Sequence, residues 1–405
     1  MKKIAIIGQG YVGLPLAIEF GKLRPVIGYD SNKNRIQELK ENYDSNHEIS
    51  KKEFDNAVNL KFSLDENELT ECDIYIVTVP TPINKSNHPD LTPLKEATKM
   101  LGSHIKFGDI IIFESTVYPG VTEEECLPVL EKFSGLKFNK DFYLGYSPER
   151  INPGDKINTL DKIIKITSGS TPEIANEVDN LYRSIIKAGT FKASSIKIAE
   201  AAKVIENVQR DVNIALVNEL YQIFTKLNID TNEVIEAAST KWNFMKLFPG
   251  MVGGHCISVD PYYLLHKSKE SGYIPDLMQT ARQINNNMPD FIANNFLQKL
   301  IAGGINPQNL KVAMLGFAFK ENCSDIRNTK AFELFSHLKK LGMDVTVYDP
   351  HVDVQEVRDN FEIHIEPLSK VNEKIAIVAV GHSEILELCE NRKFEFIYDF
   401  RGRVK

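Results

Sequence analysis

The sequence lacks any apolar run approaching the ~20 residues that a membrane-spanning helix needs, so we expect no membrane insertion. Basic residues are also too few to outweigh the acidic ones. The chain has 48 Lys and Arg against 55 Asp and Glu, a formal net charge of −7, and no cluster of cations. Because nucleic-acid affinity comes mostly from clustered cations that neutralise phosphates, we expect no nucleic-acid partner.

Cysteine is scarce as well, and its distribution excludes two kinds of cross-link. The five cysteines are far apart and include no C-x-x-C pair; they are Cys72, Cys126, Cys256, Cys323 and Cys389. This pattern predicts reduced thiols in a cytoplasmic protein, with neither a disulfide framework nor a structural zinc site.

What is present is the composition of a globular chain of two or three domains, with 405 residues, 42% of them hydrophobic and 25% charged. Short β-branched runs alternate with polar helical stretches up to about Thr190, a rhythm typical of a parallel sheet with crossover helices. The runs predicted to be strands are residues 3–8, 25–29, 74–79, 110–113 and 142–144.

The first run leads into Gly8-Gln-Gly10-Tyr-Val-Gly13, a glycine triplet between a predicted strand and a predicted helix. In a dinucleotide fold the first glycine makes the tight turn and the second lets the backbone approach the pyrophosphate. The third lets helix and strand pack closely. We therefore predict an NAD site here, and the alternative is a plain glycine-rich turn.

Asp30 ends the second predicted strand, 17 positions after Gly13 and near the spacing of the carboxylate that binds a ribose diol. An acidic residue there favours NAD over NADP, because it repels a 2′-phosphate. Arg35, one turn into the next helix, is either a second cofactor ligand or a solvated helix charge.

Two segments with hydroxyl side chains follow later strands, where the ligands of an open α/β sheet gather. Val77-Thr-Val-Pro-Thr81-Pro and Glu114-Ser-Thr116-Val would direct the hydroxyls of Thr81 and Thr116 toward the nicotinamide. The alternative is that both are ordinary helix caps before proline turns.

Residues 190–248 contain no Gly or Pro, and their apolar residues recur at helical spacing. We predict a long helix whose N-cap is Ser194 or Ser195. Its apolar stripe should build a homodimer, because a stripe of that length exceeds what one small domain can cover. The stripe comprises Ile198, Ala201, Ala202, Ile205, Val208, Val212, Ala215, Leu216 and Leu220.

The same helix carries a polar stripe of Lys203, Asn207 and Arg210 on the face opposite the apolar one. A solvated helix surface has the same pattern, so only a partner elsewhere in the chain can make this stripe functional.

That partner is supplied by Val252-Gly-Gly-His-Cys256-Ile-Ser-Val-Asp260. A thiol that follows Gly-Gly and precedes a predicted helix can be held as a thiolate by backbone N–H groups and the helix dipole. Asp260 lies about one helical turn further on. The alternative is a buried, inert cysteine. His255 is not interpreted as a metal ligand, because no second His or Cys has ligand spacing.

A second alternation of strands and helices occupies the C-terminal part, with strands predicted in 311–316, 344–350, 374–381 and 394–398. It lacks the glycine triplet, so we expect a smaller doubly wound domain that binds something other than a dinucleotide. The predicted fold class is α/β, with two doubly wound Rossmann-like domains joined by a long central helix and a helical dimerisation domain. The predicted boundaries are 1–190, 191–300 and 301–405.

Further motifs accompany these in chain order: Val79-Pro-Thr-Pro82, Ser147-Pro-Glu-Arg150, Lys203-x-x-x-Asn207, Gly253-Gly-His-Cys256-x-x-x-Asp260 and Gly316-Phe-Ala-Phe-Lys320. Together they closely resemble the nucleotide-sugar 6-dehydrogenases over essentially the whole chain. Lys241-Trp-Asn-Phe244 and Glu321-Asn-Cys-Ser-Asp-Ile-Arg-Asn328 make the chain most similar to bacterial UDP-N-acetylhexosamine dehydrogenases of the Vi-antigen type.

The resemblance implies oxidation of a sugar C6 alcohol to a carboxylate with two NAD⁺, through an aldehyde and a cysteine thioester. Cys256 would capture the aldehyde, while Lys203 would stabilise the oxyanion at C6. Asp260, with Thr116 and a water, would handle protons and thioester hydrolysis. Glu149 would position that water or the sugar.

The resemblance also implies binding residues for both ligands. The cofactor would be held by Gly8, Gly10, Tyr11, Val12, Gly13, Asp30, Arg35, Thr81, Thr116 and, from the C-terminal domain, Arg327. The UDP-sugar would be held by Glu149, Arg150, Ile151, Lys203, Asn207, Arg210, Gly254, His255 and Lys320, with Asn207 also among the catalytic residues. No metal is expected. The implied substrate is a UDP-N-acetylhexosamine, best UDP-N-acetyl-D-glucosamine, used for surface polysaccharide.

One departure bears on the substrate. UDP-glucose dehydrogenases typically carry a second Glu four positions after the one matching Glu149, and Pro153 stands there in this chain, which favours a 2-acetamido sugar. The galacto and manno epimers and UDP-glucose stay open as substrates. An NAD-dependent epimerase and a non-catalytic nucleotide-binding module are the remaining alternatives, and neither needs the thiol of Cys256.

Overall fold

The computed structural model describes residues 1–46, 48–84, 86–151 and 159–404, so Pro153 lies outside the described residues. The chain divides into two compact units. The first comprises Met1–Glu206 and Tyr262–Gly272, and the second comprises Asn207–Pro261 and Tyr273–Lys405. The predicted middle segment, 191–300, therefore contributes residues to both units.

The first unit is built on a sheet whose strands are short, β-branched and buried. They are β1 (Ile4–Ile7), β2 (Val26–Tyr29), β3 (Leu60–Ser63), β4 (Ile74–Val77), β5 (Ile110–Phe113), β6 (Tyr143–Tyr146), β7 (Lys165–Gly169) and β8 (Thr190–Lys192). Among the described residues the order is β3-β2-β1-β4-β5-β6-β7-β8, and only β6 and β7 pair antiparallel. Each predicted run contains or overlaps one of these strands. In β1, β2, β4 and β5 every residue is buried, as expected of a sheet covered on both faces.

Helices connect these strands, and the reversal of strand order at β1 and β4 creates the crevice in which open α/β sheets bind ligands. The helices are α1 (Gly13–Gly21), α2 (Lys33–Lys40), α3 (Lys51–Asn56), α4 (Thr92–Gly102), α5 (Leu127–Ser134) and α6 (Pro172–Arg183). Their starts follow local chemistry. The Asn32 side chain accepts backbone N–H bonds at the start of α2, and Thr171 caps α6 ahead of Pro172.

The predicted long helix is α7 (Ile196–Leu227), followed by α8 (Thr231–Ser239), α9 (Asp260–Glu270) and α10 (Asp276–Ala302). The Ser195 hydroxyl accepts a hydrogen bond from the Ile198 N–H at 3.2 Å. The N-cap is therefore Ser195 and not Ser194.

The apolar stripe of α7 does not pack into the core of its own chain. Ile198 is 49% exposed and Leu216 54%, whereas Glu200, Lys203 and Asn207 are buried. The buried face of α7 is thus mixed, because these polar side chains are buried together with apolar ones; the buried apolar residues are Ile196, Ala199, Val204, Ala215, Val217 and Tyr221.

The second unit contains the smaller sheet expected at the C-terminus. Its elements are β9 (Lys311–Leu315), α11 (Ala331–Lys340), β10 (Asp344–Tyr348), α12 (Val354–Phe361), β11 (Ile365–Glu366), β12 (Ile375–Val378), α13 (Ser383–Asn391) and β13 (Phe396–Tyr398). All pairs are parallel, in the order β11-β10-β9-β12-β13. This order repeats that of the first five strands of the large sheet, which confirms the predicted α/β fold class. None of the helices built from described residues has the length and apolarity to cross a membrane.

Candidate active site

The glycine triplet forms the tight turn between β1 and α1. Gly8 has a φ of +94°, and its N–H donates to the Tyr29 carbonyl at 2.8 Å. A Cβ on Gly13 would lie 1.8 Å from the Gly8 carbonyl oxygen, so no side chain fits there. A Cβ on Gly10 would meet no atom within 4 Å, which leaves open space where a pyrophosphate would approach.

Asp30 is held in place by the backbone on both sides. Its Oδ2 accepts from the Gln9 N–H at 2.7 Å, and its Oδ1 accepts from the Asn32 N–H at 2.9 Å. Within the described residues no side chain caps the first turn of α1, which begins after Val12 next to Tyr11. The open helix end, the space at Gly10 and the carboxylate of Asp30 fit NAD.

Arg35 is not a solvated helix charge, since it is only 9% exposed. Its Nε donates to the Gln9 carbonyl at 2.7 Å, and its guanidinium pairs with Asp44 at 2.8 Å and with Glu38. Arg35 therefore fixes the segment that follows Gly8. A contact between Arg35 and the cofactor stays a prediction.

Thr81 and Thr116 come together after β4 and β5. The Thr81 hydroxyl donates to the Thr116 carbonyl at 2.7 Å, and the Tyr263 hydroxyl donates to the Thr81 carbonyl at 2.8 Å. Thr81 thus uses its hydroxyl to join two loops and not to cap a helix.

Glu149 follows β6, and its carboxylate is fixed by its own loop. Its Oε1 accepts from the N–H groups of Arg150 and Ile151, at 2.6 and 2.5 Å. Arg150 in turn pairs with Glu206 at 2.7 Å. The three residues expected at the sugar are therefore held in one rigid turn.

The polar stripe of α7 is buried in part. Lys203 is 8% and Asn207 6% exposed, whereas Arg210 is exposed. Within the second unit, the Asn207 side-chain amide donates to Asp260 Oδ2 at 2.5 Å. The partner that the sequence suggested for this stripe is therefore present for Asn207, whereas Lys203 belongs to the first unit.

Cys256 lies in a turn that leads directly into α9, and it is half-buried. Its carbonyl accepts from the N–H groups of Val259 and Asp260, at 3.0 and 2.8 Å, so the helical turn begins at the thiol residue. Gly254, with a φ of +80°, packs so closely on Phe319 that a Cβ would lie 2.7 Å from the ring.

Residues after β9 surround this turn within the second unit. The Asn328 amide donates to the Gly254 carbonyl at 3.0 Å, and His255 Nδ1 lies 3.9 Å from Asp325. Arg327 pairs with the same Asp325 at 2.5 Å. Lys320 Nζ lies 5.4 Å from the centre of the Phe319 ring. The Gly-His-Cys motif and the two motifs at 316–328 thus meet in the fold. Across the residues that the structure describes, no three His, Cys, Asp or Glu side chains are grouped to hold a metal ion.

Burial disfavours the reactive thiolate form of three of the other four cysteines. Burial raises the pKa of Cys72 and of Cys126 to about 12, and that of Cys389 to about 11. Cys323 is half-buried like Cys256. The environment therefore separates these two cysteines from the inert three.

No role was predicted from the sequence for a group of buried polar residues that includes Glu114, Lys165, Tyr182 and Glu200. Lys165 lies between Glu114 and Glu149, and Glu200 binds the backbone after Thr116. One local signal did exist, because Lys165 interrupts the apolar run Ile163-Ile-Lys-Ile166. A cation in a buried strand needs a carboxylate partner.

The turn after β9 in the second sheet repeats the geometry of the glycine turn after β1, but its aspartate differs from Asp30. Gly316 has a φ of +95°, and its N–H donates to the Tyr348 carbonyl at 2.7 Å. Asp349 occupies the position equivalent to Asp30, but it is buried and accepts from four backbone N–H groups and from His382. No acceptor is left for a ribose, which suits a domain that binds a different ligand.

Three family models match the chain in sequence order. They describe the UDP-glucose/GDP-mannose dehydrogenase family: its NAD binding domain at residues 2–186, its central domain at 197–287 and its UDP binding domain at 313–405. Curated relatives include a UDP-N-acetyl-D-glucosamine 6-dehydrogenase of Salmonella typhi, 54% identical over 95% of this chain and 91% of its own. Protein CapL of Staphylococcus aureus is 50% identical over the same shares. A solved UDP-D-ManNAc dehydrogenase from Pyrococcus horikoshii is 32% identical with a TM-score of 0.89, covering 100% of this chain and 96% of that one.

Proposed function

Because the chain belongs to the UDP-glucose/GDP-mannose dehydrogenase family and is an NAD-dependent oxidoreductase, we propose that it oxidises the C6 alcohol of UDP-N-acetyl-D-glucosamine to the uronic acid. The observation that carries this substrate is the 54% and 52% identity to two enzymes of that name. The product would enter a surface polysaccharide, in keeping with the likeness to CapL. UDP-N-acetylgalactosamine, UDP-N-acetylmannosamine and UDP-glucose are the alternative substrates.

The reaction uses a covalent relay on Cys256. NAD, when bound, supplies the acceptor for each hydride. Lys203, held buried, stabilises the C6 alkoxide from which the hydride leaves. The Cys256 thiolate then attacks the aldehyde carbon, so that the bound carbon can be oxidised a second time to a thioester.

Hydrolysis completes the sequence. Water attacks the thioester carbon, the carbon–sulfur bond breaks and the thiolate leaves. Asp260, with Thr116, takes the proton of that water, and Asn207 holds the Asp260 carboxylate toward it at 2.5 Å. Glu149 positions the water. The contact between Asn207 and Asp260 supports this assignment.

The remaining predicted residues bind the two ligands. Arg150, Ile151, Arg210, Gly254, His255 and Lys320 contact the UDP-sugar, and Arg35 and Arg327 contact the cofactor. The closure of the 253–256 turn on residues 319–328 supports a ligand role for Gly254, His255 and Lys320.

A second copy of the chain covers the apolar stripe of α7. Five exposed residues recur at intervals that bring them within about 40° on a helix of 100° per residue; they are Ile198, Ile205, Leu216, Ile223 and Leu227. A narrow exposed stripe of that length supports a symmetric helix pair and therefore a homodimer.

The proposal also includes three domains, with boundaries at 190 and 300, and a cytoplasmic location. The five free thiols support the cytoplasmic location.

The test is a panel of UDP-sugars with NAD⁺, in which the NADH formed per sugar is counted. We expect two NADH with UDP-N-acetyl-D-glucosamine, and none for an epimerase or a non-catalytic module. Cys256→Ala should form no uronic acid, and any residual reduction should stop at the aldehyde or its hydrate. Iodoacetamide should inactivate the wild type by modifying Cys256. Cys323→Ala, which removes the other half-buried thiol, is the matched control: it should still form two NADH per sugar and should still be inactivated by iodoacetamide. Two NADH per sugar from Cys256→Ala would refute the covalent mechanism.

A further inference from the structure

Four buried polar side chains meet inside the first unit. Lys165, at the start of β7, lies 2.6 Å from Glu114 Oε2 and 3.4 Å from Glu149 Oε2. The Tyr182 hydroxyl on α6 donates to the other oxygen of Glu114. Lys165 is 2% exposed and Glu149 7%. An ammonium group is tolerated at that depth only when carboxylates compensate for its lost hydration.

The surroundings of Glu149 suit one ionisation state. Its Oε1 accepts two backbone N–H bonds, and its Oε2 faces the ammonium group of Lys165. A carboxylate can accept all three of these hydrogen bonds at once, and the arrangement therefore suits Glu149 as a hydrogen-bond acceptor.

Glu114 holds Lys165 at this place. It takes the shorter of the two contacts, and the Tyr182 ring centre lies 5.3 Å from Lys165 Nζ. Burial raises the pKa of Glu114 to about 7, the nearby Lys165 opposes that rise, and the charge of Glu149 adds to it. Glu114 is thus the nearer of the two counter-charges for Lys165.

We propose that Lys165 is a positioning residue that holds Glu149 as an ionised acceptor for the hydrolytic water, with Glu114 and Tyr182 holding Lys165. The inference rests on the proposed function, which gives Glu149 its role. The competing interpretation is that Lys165 and Glu114 are only a buried structural pair.

The experiment distinguishes the positioning role from the purely structural role by removing both charges of the Lys165–Glu114 ion pair. Lys165→Met alone leaves Glu114 as an uncompensated buried anion and is expected to unfold readily, whereas the double variant Glu114→Gln/Lys165→Met is neutral and should recover the stability. If Lys165 positions Glu149, the double variant still loses at least tenfold in kcat. Its KM for the UDP-sugar should fall together with kcat, so that kcat/KM and the Kd for NAD⁺ stay within twofold. Its first turnover should form two NADH per subunit in a burst, because only hydrolysis is slowed.

Three comparisons complete the test. Glu114→Gln alone leaves the contact between Lys165 and Glu149 in place, and its kcat should stay within threefold of the wild-type value. Adding Glu149→Gln to the double variant should cost less activity than Glu149→Gln costs in the wild type, because part of the contribution of Glu149 is already lost with Lys165. The double variant Asp211→Asn/Arg282→Met, which removes a buried ion pair of 2.5 Å in the second unit, is the matched control, and its effect should multiply with that of Glu149→Gln.

The outcomes are distinct. A wild-type enzyme that forms no NADH from any UDP-sugar refutes the proposed function. An active wild type with a double variant that regains both stability and kcat shows that the pair is structural and overturns the inference. Multiplicative losses for the double variant and Glu149→Gln overturn it as well.

Discussion

Glu200 offers a stability prediction that depends on pH and whose sign follows from its burial. Its carboxylate is fully buried on α7, three residues before Lys203, and it accepts from the N–H groups of Gly120 and Thr122 at 2.6 and 3.0 Å. Burial raises the pKa of Glu200 from 4.5 to about 7, against the opposing influence of the two N–H donors.

The raised pKa makes the folded protein hold a proton that the unfolded chain has already released. The stabilisation is complete below the unfolded pKa and is lost as the pH rises through about 7. At about 1.4 kcal/mol for each unit of pKa, the loss amounts to about 3 kcal/mol. Gln at this position carries no titrating proton. The unfolding free energy of the wild type minus that of Glu200→Gln should therefore fall by about 3 kcal/mol between about pH 4.5 and pH 8.

Urea unfolding followed by circular dichroism across this pH range measures the difference, and all other titrating groups cancel in it. Glu96→Gln, on the exposed face of α4, is the matched control and should give a difference that does not change with pH. A wild-type advantage that grows toward pH 8 would show that the two N–H donors outweigh burial and that Glu200 stays ionised. That result would refute the reasoning.

Three further predictions concern the site and the assembly. Asp30→Ala should weaken NAD⁺ binding about tenfold, since it removes a hydrogen-bond acceptor for the ribose. It should also relax discrimination against NADP⁺, since it removes the repulsion between a carboxylate and the 2′-phosphate. Unchanged kinetic constants for both cofactors would contradict this prediction. Asn207→Ala removes the 2.5 Å hydrogen bond to Asp260 and should lower kcat at least tenfold. Asn207→Asp should lower kcat further, because it places two carboxylates side by side. Stopped-flow measurement of NADH formation tests both variants. Leu216→Glu should convert the proposed homodimer to a monomer in light scattering at micromolar concentration, because it places a charge in the apolar stripe. A dimer that persists would place the interface elsewhere.

The elements that the sequence predicted well are those whose signal is local. The run before Gly8 becomes β1, the next predicted run becomes β2 and ends at Tyr29, one residue before Asp30, and Ser195 caps α7. Each of these depends on residues within one or two turns. The contact between Gly254 and Asn328 has no local signal in the sequence, because the two residues are 74 positions apart.

Which face of α7 is buried could not be predicted from periodicity. The pattern distinguished two stripes, but Ala215 is the one buried residue of the apolar stripe, whereas Lys203 and Asn207 of the polar stripe are buried. Periodicity describes a helix surface and not its neighbours, so a stripe that contacts another chain and a stripe that contacts the chain's own core have the same pattern.

The buried charges were decided by tertiary structure alone. Glu114 and Lys165 are 51 residues apart in sequence, and Glu200 binds backbone groups 80 and 78 residues away. The local sequence showed one side of such a pair at most, the lysine within an apolar strand. A buried charge is stable only beside a compensating group, and the identity of that group depends on which strands the sheet sets side by side. The sequence thus determined the chemistry available to the site, and the strand order determined which of those groups act together.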